Sequence, residues 1–312
     1  MLKFKYSSPG KIILFGEHAV VYGHAAVATA ISKRMTLKGE MMKSLNTEIN
    51  INDDGKITSF NPYILPNKSD SENCRDKMLR FAFKHFPKNH TLNLEITTNF
   101  PVSNGLGSSA SFCALIAAAS SRCCDEKITK DILYTRAVQL ENFFHRNPSG
   151  LDPATVIYGG SIKMENKQFS KSFSFNENLP LLIVDSGVKG TTLTSVTHVA
   201  NLCQKDPSIY KPILQILGEL SKKFCTSKIK SEAIMKYFPI AQNLLSSLDL
   251  SCKEIDDIVR ISKQNDLVAK ISGGGMGGVV LVSGKNLKDK FDKFSKYEVI
   301  HAEIGAEGLH EE

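Results

Sequence analysis

Short apolar runs alternate with longer mixed segments along the chain, a pattern typical of buried strands packed against helices. Residues 11–15, 179–184 and 279–282 are largely apolar and have the length of a buried strand. Apolar and polar residues alternate over 91–98, as in a strand with one buried face. Residues 25–31 are small and apolar and fit either a strand or a helix. Strands are thus predicted in both halves of the chain.

Helices are predicted between these strands. They cover residues 76–86, 109–124 and 128–145, and most of the chain from 206 to 250. Thr129 and Asp206 are suited to cap two of them, and a proline follows Asp206 in the first helical position. Pro212 and Pro239 are expected to interrupt the last stretch. The prolines and the glycine within residues 148–153 predict a loop there.

Two polar segments divide the chain. Residues 40–75 are rich in Asn, Ser and Asp, and the turn at 52–55 indicates a hairpin within a segment long enough to act as a lid. Residues 161–178 are also polar, and we place a domain boundary at their end. Domains 1–178 and 179–312 each mix strands with helices. The predicted fold class is therefore α+β, with two domains that meet at a cleft.

Composition and charge exclude several classes of protein. The chain has 312 residues, 42% hydrophobic and 23% charged, which is ordinary for a globular protein and excludes global disorder. The net charge of +7 comes from scattered Lys and Arg, so we expect no nucleic-acid partner. No apolar run is long enough for a membrane span. Seven cysteines without C-x-x-C spacing indicate reduced thiols and a cytoplasmic protein.

The first glycine-rich segment, residues 101–110, lies between a predicted strand and a predicted helix. Its glycines allow close approach of the backbone to a ligand, and the helix N-terminus that follows attracts anions. Ser108 and Ser109 add hydroxyls suited to phosphate or Mg²⁺. The segment does not fit a Walker A loop, and another helix follows where a dinucleotide-binding unit requires a strand. It predicts a phosphate site.

Two further glycine-rich segments indicate ligand contacts. Residues 273–278 have five glycines in six positions, and such a loop favours close packing against a nucleotide or substrate. Residues 9–23 carry Lys11 at the start of a strand, and Glu17 and His18 beside a glycine. These side chains suit contacts with a polar, charged substrate.

Two carboxylates complete the candidate chemistry. Glu141 lies near the end of a predicted helix, and Asp152 follows it across a Pro-Ser-Gly turn. Phosphoryl transfer requires a metal-binding acid, a group that positions or deprotonates the nucleophile, and a cation for the transferred group. Glu141, Asp152 and Lys11 fit these roles in that order. A lone helical Glu commonly faces solvent and a lone Asp before Pro commonly shapes a turn, so the hypothesis depends on the set.

The three glycine-rich segments, taken in order, resemble the three motifs of the GHMP kinase superfamily. Within it the chain looks like the mevalonate kinases. Residues 16–23 are close to their G-E-H-A-V-V-x-G motif, and residues 141–152 resemble E-x-x-x-H-x-N-P-S-G-x-D. The resemblance covers residues 9–282. It implies a two-domain fold, with an N-terminal ribosomal-S5-like α/β domain, a C-terminal ferredoxin-like α+β domain and the active site in the cleft.

The resemblance also implies a role for each motif residue. Asp152 takes the proton from, or orients, the attacking hydroxyl, and Lys11 lowers the pKa of that hydroxyl and offsets charge on the phosphoryl group. Ser109 and Glu141 ligate Mg²⁺. The resemblance also implies a set of residues that bind ATP: Asn104, Gly105, Leu106, Gly107, Ser108, Ser109, Gly274 and Gly275. The mevalonate side is lined by Lys11, Glu17, His18, Asp152 and Thr192.

The implied activity is ATP-dependent phosphorylation of the 5-hydroxyl of mevalonate in isoprenoid and sterol biosynthesis, by an enzyme that forms a homodimer. Two alternatives stay open: a sister kinase of phosphomevalonate or homoserine, and a ligand-sensing relative without catalysis. The chain departs from the family pattern at Gly190, where animal members carry an arginine, so Lys189 or another cation is expected to bind the substrate carboxylate. It also carries Met276 in the third motif, whose loop is expected to persist.

Overall fold

The structure, a computed structural model, describes residues 1–64, 73–102, 104–144, 148–173 and 179–312, with the side chains of all except 171–173. Within these ranges the chain forms twelve strands and eight α-helices. The strands are β1 (Leu2–Phe15), β2 (Ala26–Lys43), β3 (Glu48–Asp53), β4 (Lys56–Phe60), β5 (His90–Thr98), β6 (Ser161–Glu165), β7 (Gln168–Phe173), β8 (Leu181–Asp185), β9 (Val268–Ser272), β10 (Val279–Ser283), β11 (Glu298–Ile300) and β12 (His310–Glu311). The helices are α1 (Cys74–Ala82), α2 (Ser108–Cys123), α3 (Lys130–Glu141), α4 (Leu151–Tyr158), α5 (Thr192–Lys205), α6 (Pro207–Thr226), α7 (Lys230–Ser246) and α8 (Lys253–Gln264). The fold class is α+β, as predicted.

The first sheet is built around β1 and β2. Its order is β12-β1-β2-β5-β3-β4, while β6 pairs with β2 and β7 pairs with β6. The 18 residues of β2 include the segment 25–31 from Ala26 onward, which settles that segment as a strand. The β1–β2 register shifts between Pro9 and Gly10. Irregularities of this kind change the direction of neighbouring side chains. The next residue along β1 is Lys11, so the shift affects the direction of its side chain.

The second sheet contains four strands in the order β11-β8-β10-β9, and each described pair of neighbours is antiparallel. Numbered within this half of the chain, the order is 4-1-3-2, which is the order of a ferredoxin-like unit. Four helices connect β8 to β9, and a short 3₁₀ segment, Leu287–Phe294, precedes β11. The resemblance implied this arrangement for the C-terminal part of the chain.

The two sheets meet where β1 and β9 end. The backbone N–H of Ile13 donates to Ser272 Oγ (2.9 Å), and that hydroxyl lies 3.2 Å from the Ile13 carbonyl oxygen. The chain then returns to the first sheet, because β12 pairs with β1 at Tyr6 and Ser7. The loops that follow β1 and β9 are therefore held side by side. These two loops carry the first and third glycine-rich segments.

The predicted interruptions at Pro212 and Pro239 are wrong. Both prolines lie inside continuous helices, α6 and α7. Each proline removes one backbone hydrogen bond. The apolar residues that follow Pro212, among them Leu214 and Leu217, are buried, and this packing holds the helix together across the missing bond. The break falls instead between α6 and α7, at residues 227–229.

Several local predictions are confirmed. β3 and β4 form the antiparallel hairpin expected around residues 52–55. Thr129 Oγ1 accepts a hydrogen bond from the Ile132 N–H, and Asp206 caps α6 in the same way. The helices predicted over 76–86 and 128–145 are shorter, since α1 ends at Ala82 and α3 at Glu141.

Some expectations fall outside the described residues. The end of the N-terminal domain at 178 and the motif positions 145–147 are among them, as is part of the segment 40–75. The domain boundary and the lid therefore stay predictions. None of the described helices combines the length and the apolar character needed to cross a membrane.

Candidate active site

A lysine within β1 and an aspartate from a distant part of the chain form an ion pair. The prediction that Lys11 starts a strand is wrong, because β1 begins at Leu2. Lys11 Nζ lies 2.9 Å from Asp152 Oδ2. The lysine side chain is only 3% exposed, whereas the aspartate is 33% exposed and so can meet a ligand. The structure thus brings together two residues that the sequence analysis assigned to the chemistry.

Asp152 owes its position to a tight turn before α4. Gly150 is the N-cap of this helix and has a φ of 82°, which favours glycine. A Cβ at Gly150 would lie 2.6 Å from the hydroxyl oxygen of Tyr134. The loop predicted for residues 148–153 is wrong at its end, because α4 begins at Leu151 and includes Pro153. The first turn of a helix tolerates proline, since its N–H groups have no partner within the helix.

Glu141, the last residue of α3, is buried beside this pair. Burial and, to a lesser extent, the Asp152 carboxylate together raise the pKa of Glu141 to about 8, against the lowering effect of Lys11. The Cys113 thiol has a raised pKa because it is buried and lies near Glu141. A buried carboxylate that is costly to ionise is suited to a bound cation, which removes that cost.

The raised pKa of Glu141 predicts a pH-dependent stability for the protein without metal. Between pH 4.5, the ordinary carboxyl value, and about 8, the folded chain holds a proton that the unfolded chain has released. The free energy of unfolding is therefore expected to fall as pH rises through this window. Thermal unfolding from pH 5 to 8 should show a steeper loss for wild type than for Glu141→Gln. Equal slopes for the two proteins would contradict the assignment.

The first glycine-rich segment is anchored on β1. The Lys11 N–H donates to the Leu106 carbonyl oxygen (2.8 Å), and Ser111 Oγ donates to the Pro9 carbonyl oxygen (2.7 Å). Gly107, the N-cap of α2, has a φ of 79°. A Cβ on it would lie 2.6 Å from Lys11 Cγ, so the loop backbone packs directly on the lysine stem. The N-terminus of α2, a favourable place for phosphate, therefore lies beside Lys11.

The hydroxyl group of Ser109 is a candidate metal ligand. Its Oγ is buried and has no hydrogen-bond partner among the described residues. A hydroxyl oxygen of this kind, together with the Glu141 carboxylate, fits Mg²⁺, which prefers oxygen ligands and takes few of them from the protein when phosphates are present. In the described part of the chain no three His, Cys, Asp or Glu side chains cluster as a metal site.

The third glycine-rich segment, residues 273–278, packs on the first. A Cβ at Gly105 would lie 3.1 Å from the Ser272 carbonyl oxygen, and one at Gly278 would lie 3.0 Å from the Asn104 carbonyl oxygen. Met276 occupies this loop with a φ of 58°, and its N–H donates to the Leu250 carbonyl oxygen (2.6 Å). The loop thus persists with methionine at that position.

His18 and Thr192 both lie next to Gly274. His18 Nε2 is 2.8 Å from the Gly274 carbonyl oxygen, and burial lowers the pKa of His18. A Cβ at Gly274 would lie 3.4 Å from Thr192 Cα, at the start of α5. The neutral imidazole and the exposed threonine therefore share one wall with the third segment.

Glu17 lies deeper than the sequence analysis expected. Its side chain and that of Lys270 are both fully buried, and Lys270 Nζ donates to Glu17 Oε1. Burial raises the pKa of Glu17 and lowers that of Lys270, while each charge favours ionisation of the other. Glu17 thus anchors the loop that carries His18 to the buried Lys270 of β9. Sequence reasoning missed Lys270, although a lysine within the apolar strand β9 was the available signal.

Gly190 is required by the packing of the third segment. A Cβ there would lie 2.6 Å from the Gly275 carbonyl oxygen, so a larger side chain would displace the loop. The neighbouring Lys189 is exposed to solvent. An arginine at 190 would therefore be incompatible with this close contact between two backbones.

Comparisons with known proteins show the family to which the chain belongs. A family model described as the GHMP kinases N terminal domain matches residues 74–160, which include the first glycine-rich segment, Glu141 and Asp152. The mevalonate kinase of Methanocaldococcus jannaschii is 30% identical over 306 residues, covering 94% of this chain and 96% of that protein.

Two solved structures have a similar fold. The Methanococcus jannaschii mevalonate kinase superposes with a TM-score of 0.79 at 24% identity, covering 99% of this chain and 98% of that one. The L. major mevalonate kinase in complex with R-mevalonate superposes with a TM-score of 0.76 at 24% identity, covering 94% and 90%. With the sequence match over nearly the whole length, these likenesses show that the chain belongs to the mevalonate kinase family of GHMP kinases.

Proposed function

We propose that the chain transfers the γ-phosphoryl group of ATP to the 5-hydroxyl of mevalonate, giving 5-phosphomevalonate and ADP. The observation that carries the proposal is the Lys11–Asp152 ion pair, with Nζ and Oδ2 2.9 Å apart, beside the N-terminus of α2. Relatives named mevalonate kinase support the substrate. The similar L. major structure named as a complex with R-mevalonate supports it as well.

The ATP phosphates are placed at the loop formed by Asn104, Gly105, Leu106, Gly107, Ser108 and Ser109. Backbone N–H groups at the N-terminus of α2 and the partial positive charge of the helix favour the phosphates there. Gly274 and Gly275 of the third segment form the opposite side of the proposed phosphate site. Lys11 adds a full positive charge next to the same loop.

Ser109 and Glu141 are the residues that would hold Mg²⁺. Bound there, Mg²⁺ would neutralise charge on the ATP phosphates. Glu141, whose pKa is raised to about 8 mainly by burial, would give up its proton to ligate the cation. The buried, unpartnered Oγ of Ser109 provides the second oxygen.

Asp152 acts on the acceptor. Its carboxylate takes the proton of the 5-hydroxyl as the new bond forms between that oxygen and the γ-phosphorus, and the bond from the γ-phosphorus to the ADP oxygen breaks. Lys11 stabilises the developing negative charge and holds the carboxylate in place. Direct in-line transfer needs no covalent enzyme intermediate, because positioning and electrostatics supply the catalysis.

The mevalonate side is assigned to His18 and Thr192, with Lys11 and Asp152 at the reacting end. Glu17 acts indirectly in this proposal, since it is buried against Lys270 beneath the same loop. Lys189 is the exposed cation beside Gly190 and is our candidate for the substrate carboxylate.

An assay of ADP release with MgATP tests the proposal by comparing mevalonate, 5-phosphomevalonate and homoserine as acceptors. We expect turnover with mevalonate and background rates with the other two. Turnover on one of the others would keep the roles of Lys11, Ser109, Glu141 and Asp152 but assign a sister activity. No turnover on any acceptor would favour a ligand-sensing protein.

The setting of the enzyme is also part of the proposal. All seven cysteines are free thiols, which supports the cytoplasmic location predicted from the sequence. In this proposal the protein binds its small-molecule substrates and has no nucleic-acid or membrane partner. The homodimer implied by the resemblance and the division into domains 1–178 and 179–312 stay predictions.

A further inference from the structure

Asp185, at the end of β8, is a buried carboxylate outside the set of residues considered so far. Its side chain is 4% exposed. One oxygen accepts the Gly187 N–H (2.9 Å), and the other accepts from Asn104 Nδ2. A carboxylate taken out of water requires hydrogen bonds of this kind, since an unpartnered charge is very costly. Asn104, which opens the nucleotide loop, is thus tied to the second sheet.

The interaction fixes the orientation of the Asn104 amide. An ionised carboxylate accepts hydrogen bonds and donates none, so only the NH₂ side of the amide can face it. The Asn104 Oδ1 is buried and finds no donor among the described residues. Its opposite orientation would place an oxygen against the Asp185 carboxylate. Asp185 therefore selects one arrangement of this side chain.

The backbone around the pair is equally constrained. The Ser186 N–H donates to the Gly278 carbonyl oxygen (3.0 Å), and the Gly278 N–H donates to the Val188 carbonyl oxygen (2.8 Å). Gly278 packs in turn on the Asn104 carbonyl group. The start of the nucleotide loop is thus fixed on the second sheet, while its end at Leu106 is fixed on β1 by Lys11.

We propose that Asp185 is a positioning residue for nucleotide binding: through Asn104 it holds the 104–107 loop in the shape that receives the ATP phosphates. The inference rests on the proposed function, because it takes this loop as the nucleotide site. Asp185 acts on the loop from the side of the second sheet and does not touch the Lys11–Asp152 pair. Its loss should therefore weaken nucleotide binding with little change in the use of mevalonate.

A double-mutant cycle on MgATP affinity tests the proposal. Calorimetry with MgATP and no acceptor should give a Kd about tenfold higher for Asp185→Ala, the scale of one hydrogen bond to a charged group. Asn104→Ala should have a similar effect. The double variant should be no worse than either single one, because both remove the same interaction. In turnover, KM for MgATP should rise while KM for mevalonate stays within about twofold.

The control is Glu298→Ala, on the strand β11 directly opposite Asp185 and exposed to solvent. It should leave the Kd unchanged. If Asp185→Ala does not fold, as judged by thermal unfolding, Asp185→Asn takes its place in the cycle, because it keeps the side-chain volume but leaves one acceptor oxygen for the two donors, Gly187 N–H and Asn104 Nδ2. An unchanged Kd in the folded variants, or additive losses in the cycle, would overturn the inference while wild type still binds MgATP. A wild type without affinity for MgATP would instead contradict the proposed function.

Discussion

Replacing Asp152 by asparagine is expected to lower kcat by about 100-fold or more, the scale on which acid–base groups contribute. Asparagine keeps the shape of the side chain but cannot accept the hydroxyl proton. It also loses the charge that pairs with Lys11 Nζ at 2.9 Å. Because the side chain is one-third exposed, we expect the variant to fold. Steady-state turnover with saturating MgATP and mevalonate measures the effect.

The matched control is Asp256→Asn, since Asp256 also lies in the first turn of a helix and is exposed. It should keep wild-type turnover. A kcat for Asp152→Asn close to that of wild type would remove Asp152 from the mechanism. A fall in kcat with unchanged MgATP affinity would place the loss in the transfer step, as the geometry predicts.

Replacing Lys11 by methionine is expected to lower kcat by about 10² to 10³, the effect of removing one charge-stabilising group. Methionine keeps most of the apolar stem that packs on Gly107 and removes the ammonium. Without that charge the transferring group loses the positive side chain beside it, and the N-terminus of α2 offers only a partial charge. The Glu141 pKa should also rise further, because Lys11 normally lowers it.

Lys3→Met is the control for this change. Lys3 lies on the same strand, β1, but its side chain is 59% exposed and pairs with Glu40. It should leave turnover unchanged, as exposed ion pairs contribute little. If Lys11→Met and Lys3→Met had the same kcat as wild type, the Lys11 ammonium would have no part in catalysis.

The site could be predicted from the sequence where short motifs carry it. Lys11 and Asp152 are 141 positions apart in the sequence, yet each lies in a short motif that contains glycine. The turns before α2 and α4 require a positive φ, 79° at Gly107 and 82° at Gly150, which residues other than glycine rarely adopt. Glycine therefore marks these turns in the sequence. The hairpin at 52–55 and the cap at Thr129 are local in the same sense.

Features that depend on distant partners could not be predicted. The burial of Glu17 follows from Lys270, on a strand of the other sheet. The Asn104–Asp185 interaction likewise joins residues whose separation in the sequence gives no periodic signal. Proline statistics predicted breaks in α6 and α7, but burial of their apolar faces outweighs the lost hydrogen bonds.

The central claim is that the 5-hydroxyl of mevalonate receives the γ-phosphoryl group, and proton-coupled ³¹P NMR of the product tests it most directly. Wild-type protein with MgATP and mevalonate should produce a phosphate monoester signal split into a triplet by the two protons on C5, while Asp152→Asn should produce almost none. An unsplit monoester signal would place the phosphate on the tertiary hydroxyl. Inorganic phosphate as the only new signal besides those of ADP would contradict the account, because water and not mevalonate would then be the acceptor.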